Sequence, residues 1–344
     1  MDRLPLLVEA LTSLSRQDWP DLEIIIVLQN GTDALRRRVH EIIEDQSQSA
    51  ALKHYVYSVA VPAGEDGRSH LLNFGIEQAT GRYLAFLDDD DIIYPHAYTE
   101  LIHQLREGGC AVAVGGCQVA KMRYEEGCWV VINQETPFSW GRSRLDLFRE
   151  NFIPINSFVL DRTRLEASDL RFDPSLSMLE DYEFLLRLSG KYEFDFTKLE
   201  TLVCEYRIRL DGSNTIPYSP DAPPEVVDAY QQAHCEIEER KKQIFCVMPI
   251  SNIAESQHEL LRYRQELTLQ QHKLLERENE TKALWAELAR VNEERMREQN
   301  RFLNIMARKV YLFLGCYPRL ERLLSQLAHF CRGAYIKLKL RSER

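Results

Sequence analysis

The chain has 344 residues, enough for one sizeable α/β domain and an accessory region. A formal net charge of −10 argues against nucleic acid as the main partner, because proteins that track phosphates concentrate basic charge on one face. The eight cysteines form no C-x-x-C pair and have no histidine at ligand spacing, which argues against zinc, and no run of 18 or more apolar residues offers a membrane span.

From the N-terminus, Leu4–Arg16 has helical spacing and Leu22–Leu28 reads as a strand. Asp33–Gln46 is again helical, followed by a strand at His54–Val59, a helix at Leu71–Ala79 and a strand at Tyr83–Leu87. Pro95–Glu107 is the next helix, and Ala111–Val119 and Trp129–Ile132 are further strands. Strands that alternate with helices predict an α/β fold with a mostly parallel sheet over residues 1–216.

Pro217, Pro220, Pro223 and Pro224 crowd a linker at 217–224 that neither helix nor sheet can continue through. Residues 225–300 are rich in Glu, Gln, Arg and Leu and predict long helix. Leu260, Leu267, Leu274, Thr281 and Leu288 recur every seven residues, but the partner positions Tyr263, Gln270, Arg277, Leu284 and Val291 are only partly apolar. This favours a weak coiled coil, or a helix docked on its own domain, over a strong zipper. Residues 301–344 reverse the charge, with ten Lys or Arg against Glu321 and Glu343, interleaved with Phe302, Ile305, Leu312 and Phe313. Two readings of this tail stay open: an amphipathic helix at an anionic membrane surface, and a helix that packs in a core or a dimer. The expected location is cytoplasmic, with the tail able to make peripheral contact with the cytoplasmic membrane.

Chemistry concentrates at Asp88, Asp89, Asp90 and Asp91, which end an apolar strand abruptly. In open α/β sheets the carboxyl ends of strands face the ligand crevice. Two like charges about 4 Å apart repel by roughly 4 kcal/mol near a protein surface, so four carboxylates call for a cation. All-oxygen ligands suit Mg²⁺ or Mn²⁺, which takes one or two carboxylates and leaves its other positions to water and a diphosphate. The run also reads as a solvated turn, with Asp91 as an N-cap before Ile92. By themselves, Glu180 and Asp181 are favourable acids in the first turn of a helix.

The stretch that carries Asn73, Gly75, Ile76, Ala79 and Gly81 and then runs from Tyr83 to Asp91 closely resembles the core of the family 2 glycosyltransferases, which have the GT-A fold. Arg3 to Glu23 resembles the family's first helix and the turn into its second strand. Met178, Glu180, Asp181 and Arg187 resemble its E-D element at the head of a helix, and Tyr206 to Thr215 the segment that closes the catalytic domain. The likeness spans roughly residues 3–215.

It implies an inverting transfer of a sugar from a nucleoside diphosphate donor to a glycan or lipid-linked acceptor. Asp88 and Asp90 match the D-x-D positions that contact the donor ribose and hold the metal, Mn²⁺ or Mg²⁺, with Asp89 between them on the donor side. Asp181 matches the general base, and Glu180 orients or tunes it. Arg68, Arg207 and Arg209 match basic positions that reach the nucleotide or its phosphates, each with a surface ion pair as the alternative.

The likeness fails in two places. The family opens with an apolar strand inside the sheet, whereas Met1 stands at the end of the turn after that strand. The expectation is therefore either a natural start further upstream or a truncated, inactive form, since each buried backbone group left unpaired costs on the order of 1–3 kcal/mol. Secondly, the family's acidic pair after the second strand is replaced by Leu28, Gln29, Asn30 and Gly31. Gln29 can hydrogen-bond a base edge but supplies no charge, and Arg209 stands where many relatives have a histidine. The competing readings are a catalytically silent scaffold for the helical tail and, with less support, a nucleotidyltransferase.

Overall fold

The computed structural model describes residues 3–46, 53–135, 137, 139–214, 223–246 and 250–315, with side chains in the last segment described for 261–310 and 312. The chain divides into two compact units, Met1–Ile250 and Ser251–Arg344.

The first unit opens with α1 (Leu4–Ser15), where Pro5 sits in the first turn and so costs no intrahelical hydrogen bond. It continues through β1 (Glu23–Gln29), α2 (Asp33–Gln46) and β2 (Lys53–Val59). β1 and β2 pair in parallel, Glu23 opposite Lys53 through Gln29 opposite Val59. Val39, Ile42 and Ile43, spaced by three and one, bring one face of α2 onto Leu11 and Ile24.

Next come α3 (Arg68–Gln78), β3 (Tyr83–Ala85), β4 (Ile92–Ile93), α4 (Ala97–Gly108), β5 (Val112–Glu125), β6 (Cys128–Glu135), α5 (Arg144–Arg149), β7 (Phe158–Asp161), α6 (Glu180–Lys191), β8 (Phe194–Arg209) and α7 (Pro224–Lys241). A second sheet runs in the order β3-β7-β5-β8-β4, with β6 also on β5. The α/β class stands, and the sheet is mixed. Parallel pairing is found at β1–β2 and β5–β8, whereas β3–β7, β4–β8, β5–β6 and β5–β7 are antiparallel. Among the described residues, β1 pairs only with β2 and β3 only with β7, so the sheet falls into two hydrogen-bonded pieces.

β5 runs on past Val119 because Glu126 and Gly127, at φ 49° and 92°, make the left-handed two-residue turn that folds β6 back on it. Its register against β8 slips at Gly115 and Gly116. A Cβ on Gly116 would stand 2.4 Å from the Leu199 carbonyl oxygen and 3.0 Å from that of Thr201, and backbone cannot step aside. Gly116→Ala is therefore expected to cost about 2–3 kcal/mol, read from urea unfolding. An unchanged midpoint would mean that the two strands separate freely at this point.

A second departure from the sequence reading concerns α7. Placed by composition in the helical region beyond a boundary at 217–224, it instead buries Ala233 and Ile237 in the core that holds α6, so the first unit extends to Ile250. Arg240 fixes it further through an ion pair with Asp173. Most of the expected linker, 215–222, lies outside the described residues, as does the tail beyond 315.

The second unit is α8 (Ile250–Gly315), one helix of 66 residues. Leu267, Leu274 and Leu288 of the seven-residue series are exposed, as are Leu284, Trp285 and Phe302. No described helix is long and apolar enough to cross a membrane.

Candidate active site

The Asp run leaves the carboxyl end of β3 and turns into β4. Packing beneath it sets its position. Phe86, two residues before Asp88, packs edge-on to Phe172 and to Phe184, with ring centroids 5.3 and 6.4 Å apart. Phe172 and Phe184 stack at 4.3 Å. Phe184 lies one turn after Glu180 on α6, so one aromatic cluster anchors both the Asp run and the acidic pair at the head of α6.

Arg68 closes the space between them. It lies in the first turn of α3, three residues earlier than the helix expected at Leu71. Its Nη2 donates to Asp88 and its Nε lies 2.8 Å from a Glu180 carboxylate oxygen. The Asp run and the Glu180–Asp181 pair thus face one another across one guanidinium.

Each carboxylate has a distinct environment. Asp91 is 1% exposed and is held by the Arg207 backbone N–H at 2.8 Å and Asn156 Nδ2 at 3.0 Å. Burial, reinforced by Asp90 and Asp88, pushes its pKa well up. Asp90 accepts from Arg209 and from Arg3, and Asp89 accepts from Arg3 at 2.7 Å. Oxygens of Asp88, Asp90 and Asp91 lie within 4.8 Å of one another, the single grouping of this kind among the described residues. That hard, all-oxygen donor set is of the kind that suits Mg²⁺ or Mn²⁺, and Asp91 is engaged on both of its oxygens.

Across the cleft, Glu180 is buried, and burial together with neighbouring Asp181 pushes its pKa up to about 7 against the opposing pull of Arg68. Asp181 is half-buried and also shifted upward, chiefly by burial, with Arg68 pulling the other way. One of its oxygens accepts from the Tyr182 N–H at 2.7 Å and the other from Asn151 Nδ2 at 3.3 Å. The residue before the pair, Leu179, has φ 60°, a left-handed conformation uncommon for a branched side chain, and its side chain is buried in the core. The core therefore holds the head of α6 in place against a backbone preference.

Of the residues singled out from sequence, Asp88, Asp89, Asp90, Arg68, Arg209, Glu180 and Asp181 are linked around this cleft. Gln29 stands at the end of β1 beside Gly67, whose absent Cβ would lie 3.1 Å from the Gln29 side-chain oxygen. Arg207 differs. The residue is 7% exposed and its guanidinium is committed to Glu205 at 2.8 Å and Glu9 at 2.7 Å, so only its backbone N–H joins the cluster. Arg3, Asn151 and Asn156 also meet these carboxylates, with no local sign of it in the sequence. Tyr230 of α7 lies close enough for Asp181, after burial, to raise its hydroxyl pKa. A separate depression of about 600 Å³ between α4 and β8, lined by Glu100, His103, Gln104 and Asp195, contains none of these groups.

Comparison with known proteins bears on the same segment. The family model "Glycosyl transferase family 2" matches residues 2–157, which include β3 and the whole Asp run. Residues 2–157 are a family 2 glycosyl transferase domain. A Campylobacter jejuni GalNAc(5)-diNAcBac-PP-undecaprenol beta-1,3-glucosyltransferase is 32% identical to this chain over 120 residues, 35% of this chain and 36% of that one. The uncharacterised glycosyltransferase EpsJ of Bacillus subtilis is 26% identical over 66% of this chain and 64% of its own. The chain thus matches between about one third and two thirds of these relatives' length. Residues 1–349 of S. aureus TarS align at 18% identity over 70% of this chain and 66% of that one, with a TM-score of 0.45. The acidic pair of α6 lies outside the matched glycosyl transferase segment and is tied to it by Arg68.

Proposed function

We propose that the chain transfers a sugar, with inversion, from a nucleoside diphosphate donor to a glycan or lipid-linked acceptor, using Asp181 as general base. The observation that carries this reading is Arg68, which joins the donor-side Asp88 to the base-side Glu180 in a single contact chain. A hydroxyl approaching the anomeric carbon from the α6 side meets Asp181, whose carboxylate takes the proton as the new C–O bond forms and the bond to the diphosphate breaks. Asn151 and the Tyr182 N–H fix the orientation of that carboxylate. On the donor side, Gln29 reads the base edge and Arg68 and Arg209 donate to phosphate oxygens. Asp88 and Asp90 would hold a divalent ion, which when bound would supply Lewis-acid stabilisation of charge on the leaving diphosphate. The Campylobacter jejuni relative, by its name, acts on an undecaprenol diphosphate glycan, which supports a lipid-linked acceptor.

The test is a thermal-shift panel of UDP, GDP, CDP and dTDP and their sugars with Mn²⁺, followed by donor hydrolysis with the best binder. A ligand at a hundred times its Kd raises stability by about 2.7 kcal/mol, so a midpoint shift of several degrees is expected. No shift with any of them, on folded protein, sinks the reading in favour of a silent scaffold.

Of residues 225–344, expected to meet a membrane or a second copy, α7 is committed to the core of the first unit, which leaves α8 and the segment after it for that role. The basic segment 301–344 is the membrane candidate, and α8 the segment for self-association. Deletion of 301–344 is expected to release the protein from anionic liposomes in a salt-sensitive way. Equal binding with and without the segment excludes the membrane role.

A further inference from the structure

Three arginines hold the Asp run, through contacts that bear on how ligands enter the site. Asp90 Oδ2 receives two guanidiniums at once, from Arg209 Nη1 and from Arg3 Nη2 at 3.0 Å. Arg3 also reaches Asp89, and Arg68 reaches Asp88. Each of the first three carboxylates therefore already has a cationic partner, and two of them, Asp88 and Asp90, belong to the grouping that suits a divalent ion. Arg209 is built into this position. Its side chain is 8% exposed, its Nε donates to Ser213 Oγ at 2.8 Å and its Nη2 to the Ser213 carbonyl at 2.9 Å. Gly212, at φ 78°, turns the backbone so that Ser213 meets Arg209 in this way. Arg3, half exposed at the head of α1, has no such anchor in these contacts.

We propose that Arg3 and Arg209 are exchangeable counter-ions that couple metal entry to diphosphate binding. The proposal rests on the donor-site reading of the Asp run. A dication that settles on Asp88 and Asp90 alone must displace two guanidiniums from Asp90 or sit against them, so the nucleotide-free chain binds it weakly. A nucleoside diphosphate removes the conflict. Its phosphate oxygens accept the N–H groups that Asp90 gives up, in the planar geometry guanidinium favours. Arg209 needs only to change the partner of Nη1, since its two bonds to Ser213 stay in place. Metal and nucleotide then bind with positive coupling, and by linkage each tightens the other equally.

The test measures two affinities on the full chain: Mn²⁺ for the nucleotide-free protein, from the electron paramagnetic resonance signal of free Mn²⁺, and UDP, GDP, CDP and dTDP in Mn²⁺, by calorimetry. Arg209→Gln is expected to tighten Mn²⁺ binding to the nucleotide-free chain and to weaken the nucleotide, each on the order of ten-fold. Arg3→Gln, at an exposed position that leaves the fold intact, is expected to move both in the same directions by a smaller factor. Opposite signs for the two ligands are what a loss of folding or a general loosening of the site cannot produce. If either variant weakens both ligands, or leaves Mn²⁺ binding unchanged, the exchange is wrong while nucleotide binding still supports the donor-site reading. If the unaltered chain binds no nucleotide, both fall together.

Discussion

Asp181→Asn is expected to lower kcat by about 10²–10⁴-fold, the range for loss of a positioned general base, with little change in nucleoside diphosphate affinity. Asparagine keeps the size of the side chain and can still accept from Tyr182 N–H, so the head of α6 holds its shape. It loses the capacity to take a proton from the acceptor hydroxyl. Since burial raises the Asp181 pKa, the unaltered enzyme is expected to lose rate on the acid side as that carboxylate is protonated. The variant lacks that group, so the acid-side loss due to Asp181 should vanish from its residual rate, leaving pH dependence only to neighbouring Glu180. Assays with donor and acceptor across pH 5–9, alongside diphosphate binding by calorimetry, decide the matter. Retention of full turnover removes Asp181 from the reaction, and a parallel loss of nucleotide affinity makes it a structural residue.

Arg68→Met is expected to cost stability in a way that depends on pH. Removing one partner of a buried pair leaves an uncompensated charge, at about 3–5 kcal/mol when both groups are fully buried. Arg68 is about one third exposed, so about 2–3 kcal/mol at pH 8 is expected. The pH dependence comes from Glu180. Its folded-state pKa of about 7 exceeds the ordinary carboxylate value of 4.5, so between these values the folded chain holds more protons than the unfolded chain. Stability at this site is therefore greatest in acid and declines as pH rises toward 7. Arg68 works against that shift, so its removal drives the Glu180 pKa higher and deepens the loss at alkaline pH. Near pH 5 Glu180 is protonated in the variant, and the deficit should shrink toward about 1 kcal/mol, left by Asp88. Urea unfolding at pH 5, 6.5 and 8 measures it, and Arg68→Met/Glu180→Gln should recover most of the loss at pH 8. A deficit that does not change with pH places the role of Arg68 elsewhere.

The parts of the site that are legible in the sequence are those written locally. Four consecutive aspartates after an apolar strand and an acidic pair before the Phe184–Leu188 stretch are contiguous signals, and both stand at the element ends that sequence placed them on. Asn151 and Arg3 carry no local sign of their role, because the carboxylates they serve lie 30 and 86 residues away and meet them only through the packing of α1 and α6. Arg207 shows the converse. Its place in a motif is plain, but which way the side chain turns depends on Glu9, 198 residues distant, so the donor-binding expectation fails to find its guanidinium at the cluster. β8 is not legible in the sequence because Phe194–Arg209 lacks an uninterrupted two-residue alternation, and its pairing with β5 is broken by the Gly115–Gly116 slip. Composition alone places α7 with the tail. Its few buried residues, Ala233 and Ile237, are too sparse to signal docking without sight of the surface that receives them.

The division of the sheet between β1 and β3 has a bearing on substrate choice. Gln29 is carried by the small β1–β2 piece, and the Asp run by the large one. Among the described residues, no strand ladder fixes the span between Gln29, the proposed reader of the base, and the Asp run proposed to meet the phosphates. Side chains bridge it: the Glu23 carboxylate, which accepts from the Thr80 N–H at 2.9 Å, and Leu14 and Leu22, which pack against the cores of both pieces. Side-chain seams yield more readily than ladders, so a donor of different length could be accommodated by sliding one piece against the other, and amide exchange in β1 and β2 would speed up well before that in β5 and β8.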